Sequence, residues 1–188
     1  MSLFHDLNVS LHENWPIWLV TVVLVVAAVI DGWKLKVPNW ITFPLIISGW
    51  IYSTASYGWE GFGWSLVGTA VGLGLLLPAY AIGGMGAGDV KLLGGVGAWV
   101  WGTTTFYAFA CSAVVGGVLA VAMVLWRRAW NRHTDQFRQI VNEIVQIRDP
   151  NTLSAIAAER KSSMLLLPYG IPIAIGTIGY FLWMGMLI

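Results

Sequence analysis

Two aspartates stand apart from the other acidic residues because of where they fall. Of nine acidic residues, Asp6, Glu13 and Glu60 lie in segments that read as outer loops. Asp135, Glu143, Asp149 and Glu159 lie in a charge-rich stretch near the C-terminal third. Asp31 instead closes an uncharged run from Val22 to Ile30, and Asp89 closes one from Gly61 to Gly88. A carboxylate at the bilayer centre costs at least ~2.5–3.5 kcal/mol, so an acid in such a setting is a functional candidate. Two carboxylates held close together cannot both ionise easily, and they share a proton. One can then take a proton from water while the other donates one to a scissile carbonyl or leaving amine, which is aspartic proteolysis. The structural alternative is that each Asp caps a helix or pairs with Lys34, Lys36 or Lys91 near the headgroups.

The residues beside Asp89 suit the first use. Gly86-Ala87-Gly88 removes side chains just before the acid. Glycines permit close backbone approach, so an extended substrate can lie beside Asp89. The run is not a nucleotide fingerprint, because no G-x-G-x-x-G follows a strand and no G-K-[ST] occurs. A single cysteine, Cys111, excludes an internal disulfide and a Cys-based zinc site. His5 and His12 fall outside the membrane and no H-E-x-x-H occurs, so neither a metal nor a cofactor is expected.

The elements that must position these acids follow from composition and charge. The 188 residues are 57% hydrophobic and 10% charged, with a mean hydropathy of +0.73. Soluble domains are about 25% charged, so disorder, a coiled coil and an ordinary soluble enzyme are excluded. A net charge of +1 gives no footprint for nucleic acid. Uncharged stretches cover Asn14–Ile30, Val37–Trp59, Gly61–Gly88, Leu92–Trp126 and Ser162–Ile188. Four suit one spanning helix each, at about 20 residues per crossing. The fourth in order would make a helix of roughly 50 Å, too long for one crossing. Letting it turn near Gly102–Thr105 places all ten Lys and Arg on one side, as cytoplasmic loops require.

The expected fold is therefore all-α: a polytopic membrane protein of six helices, near 15–33, 39–56, 63–82, 90–102, 105–127 and 165–187. Both termini lie outside, and the chain is one membrane domain with a cytoplasmic insertion at about 128–163. The first helix, with no basic residue before it, reads as a retained span rather than a cleaved signal. Helices 1 and 3 both run inward, so Asp31 and Asp89 share one depth at the cytoplasmic edge. Phe137, Ile140, Val141, Ile144 and Val145 mark an amphipathic helix over 134–148 on the membrane surface. Trp15, Trp18, Trp33, Trp40, Trp59, Trp64, Trp99, Trp101, Trp126 and Trp130 read as interface anchors. The spacings Gly68/Gly72, Ala70/Gly74 and Gly116/Ala120 read as helix-packing surfaces.

Three motifs carry a resemblance. Gly-Met-Gly-Ala-Gly-Asp-Val-Lys-Leu-Leu at 84–93, Asp31 followed by Lys34, Lys36 and Val37-Pro38-Asn39, and Pro168-Tyr169-Gly170 opening the last helix occur in the order found in type IV prepilin peptidases. The chain resembles this family of membrane aspartyl proteases over roughly 15–110 and 165–188. The resemblance implies that Asp31 and Asp89 are the catalytic pair. It implies that Gly86, Gly88, Lys91, Pro38, Asn39, Pro168, Tyr169 and Gly170 shape the site or bind substrate, with Lys91 either tuning Asp89 or reaching the headgroups. The implied substrate is a prepilin-like membrane protein with a short basic leader, cut on the cytoplasmic side of the inner membrane. Bifunctional members carry two Cys-x-x-Cys pairs and also methylate the new N-terminus. With Cys111 alone, the chain looks like the short form associated with tight-adherence pili, which cleaves without methylating. Two other readings use the same acids: a proton-coupled transporter with an Asp relay, and a non-catalytic membrane scaffold.

Overall fold

The computed structural model describes residues 14–81, 83–126 and 168–187. Every regular element among them is a helix, as the composition requires. These are α1 (Trp15–Lys34), α2 (Asn39–Ala81), α3 (Ala87–Trp126) and α4 (Gly170–Trp183). The amphipathic segment expected at 134–148, and the whole of the insertion expected at about 128–163, lie outside the described residues.

α1 begins with Pro16 in its first turn, where a missing N–H costs no hydrogen bond. It ends because Leu35 turns left-handed (φ 51°) and donates its N–H to the Asp31 carbonyl at 2.8 Å. Asp31 therefore sits in the final turn. α2 has 43 residues, about 65 Å if straight and twice the hydrocarbon thickness. It reverses at Gly58 (φ 65°, ψ −152°), a conformation that is essentially glycine-only. The Trp50 indole N–H donates to Thr69 Oγ1 at 3.0 Å, so the arms 39–57 and 59–81 lie side by side.

α3 also reverses, at Trp101 (φ 63°, ψ 179°). Its first arm runs against the second arm of α2, where Gly68 faces Gly97 and Gly72 faces the Leu93 backbone. Its second arm returns and brings Gly116 beside Tyr169 and Pro172, at the start of α4. α4 packs against both α3 and α1. Every residue from Leu92 to Val100 is buried, so the first arm of α3 is the central helix. Ser53 and Ser65 both donate to the Ala98 carbonyl, which leaves these two hydroxyls satisfied in the core.

Several expectations need correction. Helices 2 and 3 are joined by a one-residue reversal rather than a loop, so helix runs through 59–62 and Glu60 lies on α2. Helices 4 and 5 are joined in the same way. The turn falls at Trp101, whose ring packs edge-on against Tyr57 at 5.3 Å, rather than at Gly102–Thr105. α3 starts at Ala87 rather than 90, and α4 is shorter than 165–187. Trp99 is only 6% exposed, stacks on Tyr52 and donates to the Leu45 carbonyl at 2.9 Å, so it is a core residue and not an anchor. Trp33, Trp40 and Trp59 are exposed, as anchors would be. Gly68, Gly72 and Gly116 are buried packing positions, but Ala70 and Gly74 are exposed and Gly74 has no close neighbour. By length and composition, α1, α2 and the Ala87–Met123 part of α3 are long and apolar enough to cross a membrane.

Candidate active site

Asp31 is 1% exposed although it lies next to the end of α1. Its Oδ2 accepts the Gly170 N–H at 2.7 Å. Gly170 is the first residue of α4, so the carboxylate meets the positive end of a helix with a free amide. A Cβ on Gly170 would stand 2.9 Å from Asp31 Oδ2, and glycine is needed there for space.

Asp89 is 4% exposed and lies in the first turn of α3. Its Oδ2 accepts the Gly86 N–H at 3.0 Å, while its own N–H donates to the Gly86 carbonyl at 3.2 Å. This is the half of a capping box in which the third helical residue reaches back to the cap. The two acids are thus held in a similar manner, each carboxylate accepting the backbone amide of a glycine. They come from different helices.

Both acids line one cavity of about 490 Å³. Its walls are Asp31 with the loop residues 35–39 on one side and residues 86–89 on the other. Val37, Pro38 and Asn39 therefore line the same cavity as Gly86, Gly88 and Asp89. A larger apolar groove of about 720 Å³ lies between α2 and α3, lined by Trp64, Val67 and Phe106, with no carboxylate among the described residues that line it.

The reason for Gly88 differs from the one expected. A Cβ there would overlap the Val37 carbonyl, so Gly88 lets the 35–38 loop pack against α3. At Gly86 a Cβ would lie 3.2 Å from Asp89 Oδ2, beside the carboxylate that its amide holds. Lys91 Nζ donates to Asn39 Oδ1 at 3.0 Å and stands 4.7 Å from the centre of the Phe43 ring. Lys91 and Lys36 thereby gather at the same end of the bundle as the last turn of α1, which carries Lys34. Tyr169 is half-buried and lies beside Gly116. Gly170 brings the Pro168-Tyr169-Gly170 segment onto Asp31.

Sequence reasoning did not single out Leu35 or Phe43, and it placed Lys36 only in the motif after Asp31 and as a candidate partner of the acids. Leu35 was within reach, since it lies between Asp31 and Val37. Phe43 is four residues after Asn39, one turn along the same helix face. Among the described residues, no three His, Cys, Asp or Glu side chains come together as metal ligands would.

A family model described as the type IV leader peptidase family matches residues 18–121, more than half of the chain and the part that contains both acids. The chain belongs to this type IV leader peptidase family. Two curated relatives, both named prepilin leader peptidase/N-methyltransferase, come from Aeromonas salmonicida (strain A449) and Aeromonas hydrophila. Each is 30% identical over 116 residues, covering 58% of this chain and 40% of the relative. The chain therefore spans less than half the length of the curated relatives it matches. No solved structure matches it. Apolar helices and family membership together make this leader peptidase family member an integral membrane protein.

Proposed function

We propose that the protein is a membrane aspartyl endopeptidase that removes the basic leader of prepilin-like substrates, with Asp31 and Asp89 as its catalytic pair. The observation that carries this reading is the shared cavity: two buried carboxylates from different helices face one space of about 490 Å³. In the proposed reaction a water stands between them. The ionised carboxylate takes a proton as the water oxygen attacks the scissile carbonyl carbon. The protonated partner gives its proton to the developing oxyanion. Collapse of the tetrahedral adduct breaks the C–N bond, the amine leaves protonated, and the dyad is restored. The Gly170 and Gly86 amides keep each carboxylate in place through the cycle.

Six membrane crossings, with the site at the cytoplasmic face of the inner membrane and the N-terminus outside, form part of the proposal. Support comes from the two sharp reversals in α2 and α3 and from Lys34, Lys36 and Lys91 beside the cavity. We further propose hydrolysis without methyl transfer, as in the short form associated with tight-adherence pili. The 188 residues hold one cysteine, so the Cys-x-x-Cys pairs of bifunctional members have no counterpart in them.

The test is purified protein in liposomes with a membrane peptide that carries a basic leader, in the presence of S-adenosylmethionine. Mass spectrometry should find a new, unmethylated N-terminus at the boundary between leader and apolar segment. An intact peptide refutes the peptidase reading, and a methylated product refutes the monofunctional one. Cysteine labelling from each side of the membrane should find positions 34 and 91 on the same face. Opposite faces would contradict the proposed topology.

A further inference from the structure

We infer that Lys91 and Asn39 form a clamp that sets how far apart the two acid-bearing walls of the cavity stand. Lys91 comes two residues after Asp89, a turn of about 200° around the helix, so it projects away from that carboxylate. Its ammonium engages Asn39 Oδ1 at 3.0 Å and the Phe43 ring at 4.7 Å. Asn39 and Phe43 are four residues apart on α2 and share a face, so one cation grips two residues of one helix. The bond is charge-assisted and is reinforced by the ring.

The location gives the clamp its consequence. Asn39 opens α2 directly after the 35–38 loop, whose other end is tied to Asp31 by the hydrogen bond from Leu35. Lys91 rides on the helix that begins with Asp89 in its first turn. The Gly88 contact with Val37 limits how closely loop and helix approach. The Lys91–Asn39 bond limits how far they part. Together the two contacts bracket Asp89 along α3 and fix the cavity width. Lys91 and Asn39 are positioning residues, acting through backbone placement. What the clamp serves rests on the aspartyl reading above; whether it exists does not.

A labelling experiment reads the wall without needing cleavage. In a Cys111→Ser background, Ala87→Cys puts a thiol on the Asp89 wall, and its maleimide labelling rate is followed in liposomes. Lys91→Met keeps an apolar stem over Phe43 but removes the ammonium, and Asn39→Leu removes the acceptor from the other side. Each should raise the labelling rate severalfold and, with cysteine positions native, lower kcat on a leader-bearing peptide about tenfold. KM should change by less than about twofold. The double variant should lose no more than either single one. Asn39→Asp keeps an acceptor in place and should recover the slow labelling and most of the kcat lost in Asn39→Leu. Unchanged labelling in both single variants overturns the clamp. So does a rise in KM with kcat intact, which would mean Lys91 acts on the substrate, or fully additive losses. Labelling changes in a protein that never cleaves would uphold the clamp and overturn the aspartyl reading instead.

Discussion

Replacing Gly170 by alanine should disable the site while leaving the bundle folded. The new Cβ would stand 2.9 Å from both Cβ and Oδ2 of Asp31, and 3.1 Å from Cγ. Carbon atoms settle at about 3.5–4.0 Å, so α4 and Asp31 must part by roughly 0.6–1 Å. That movement stretches the 2.7 Å bond from the Gly170 amide, which has a carboxylate as acceptor. Such a bond is worth about 1.5–3 kcal/mol, and a misplacement on the order of 1 Å can cost ~10²-fold in rate. We expect kcat on a leader-bearing peptide to fall about 10–100-fold with KM little changed. The assay is single-peptide cleavage in liposomes, with thermal unfolding measured on the same preparations. Gly179→Ala on the same helix is the control, because a Cβ there meets nothing within 4 Å. Alanine is the better helix former by about 0.8–1.0 kcal/mol, so this variant should cut normally and unfold no earlier. A Gly170→Ala protein that cleaves at the parent rate would refute the positioning role of the amide. Equal damage from Gly179→Ala would show that α4 merely resists substitution.

Three further outcomes follow from individual contacts. Gly88→Ala drives a Cβ into the Val37 carbonyl; it should cost about 1–3 kcal/mol of stability and open the 35–38 loop, read as a lower melting temperature together with lost cleavage. Gly58→Ala forces a side chain into a glycine-only conformation at φ 65°. It should cost about 1–3 kcal/mol in stability but leave kcat per folded molecule unchanged, because the reversal lies in the middle of α2, away from the cavity. Exhaustive metal chelation should leave cleavage intact, and loss of activity restored by one added divalent ion would contradict the two-carboxylate mechanism.

The placement of the acids was legible because charge is scarce in this sequence. Where most of the chain is apolar, the expectation that basic residues share one side leaves little freedom, and Asp31 and Asp89 do line one cavity, with Lys36 in its wall and Lys91 bonded to Asn39 beside it. The glycine run before Asp89 was legible as a site for backbone approach, but its occupant was not. Gly88 is filled by this protein's own Val37, a contact that spacing along the chain cannot reveal. The partner of Asp31 was hidden for a similar reason, since Gly170 lies 139 residues away and contributes only a backbone amide. Pro168-Tyr169-Gly170 entered through resemblance alone, and the geometry supplies a physical task for its glycine. The reversal at Gly58 falls in the gap expected between helices 2 and 3, whereas the turn expected near Gly102–Thr105 falls at Trp101. Gly58 fits its backbone, whereas Trp101 adopts a glycine-like conformation next to a real glycine, so propensity pointed one residue too late. Tertiary packing of the Trp101 ring on Tyr57 overrides the local preference. Trp99 shows the converse, a tryptophan whose indole N–H finds a buried carbonyl and so needs no interface.

The claim on which the rest depends is that two carboxylates, and not one, carry the chemistry. The direct measurement is cleavage of a leader-bearing membrane peptide by Asp31→Asn and Asp89→Asn, tested separately in liposomes beside the parent protein. Each change is isosteric, and each amide oxygen can still accept the glycine N–H that holds the native carboxylate. Both variants should stay folded and both should lose cleavage by several orders of magnitude. Cleavage at the parent rate by either one, in a folded protein, would contradict the dyad.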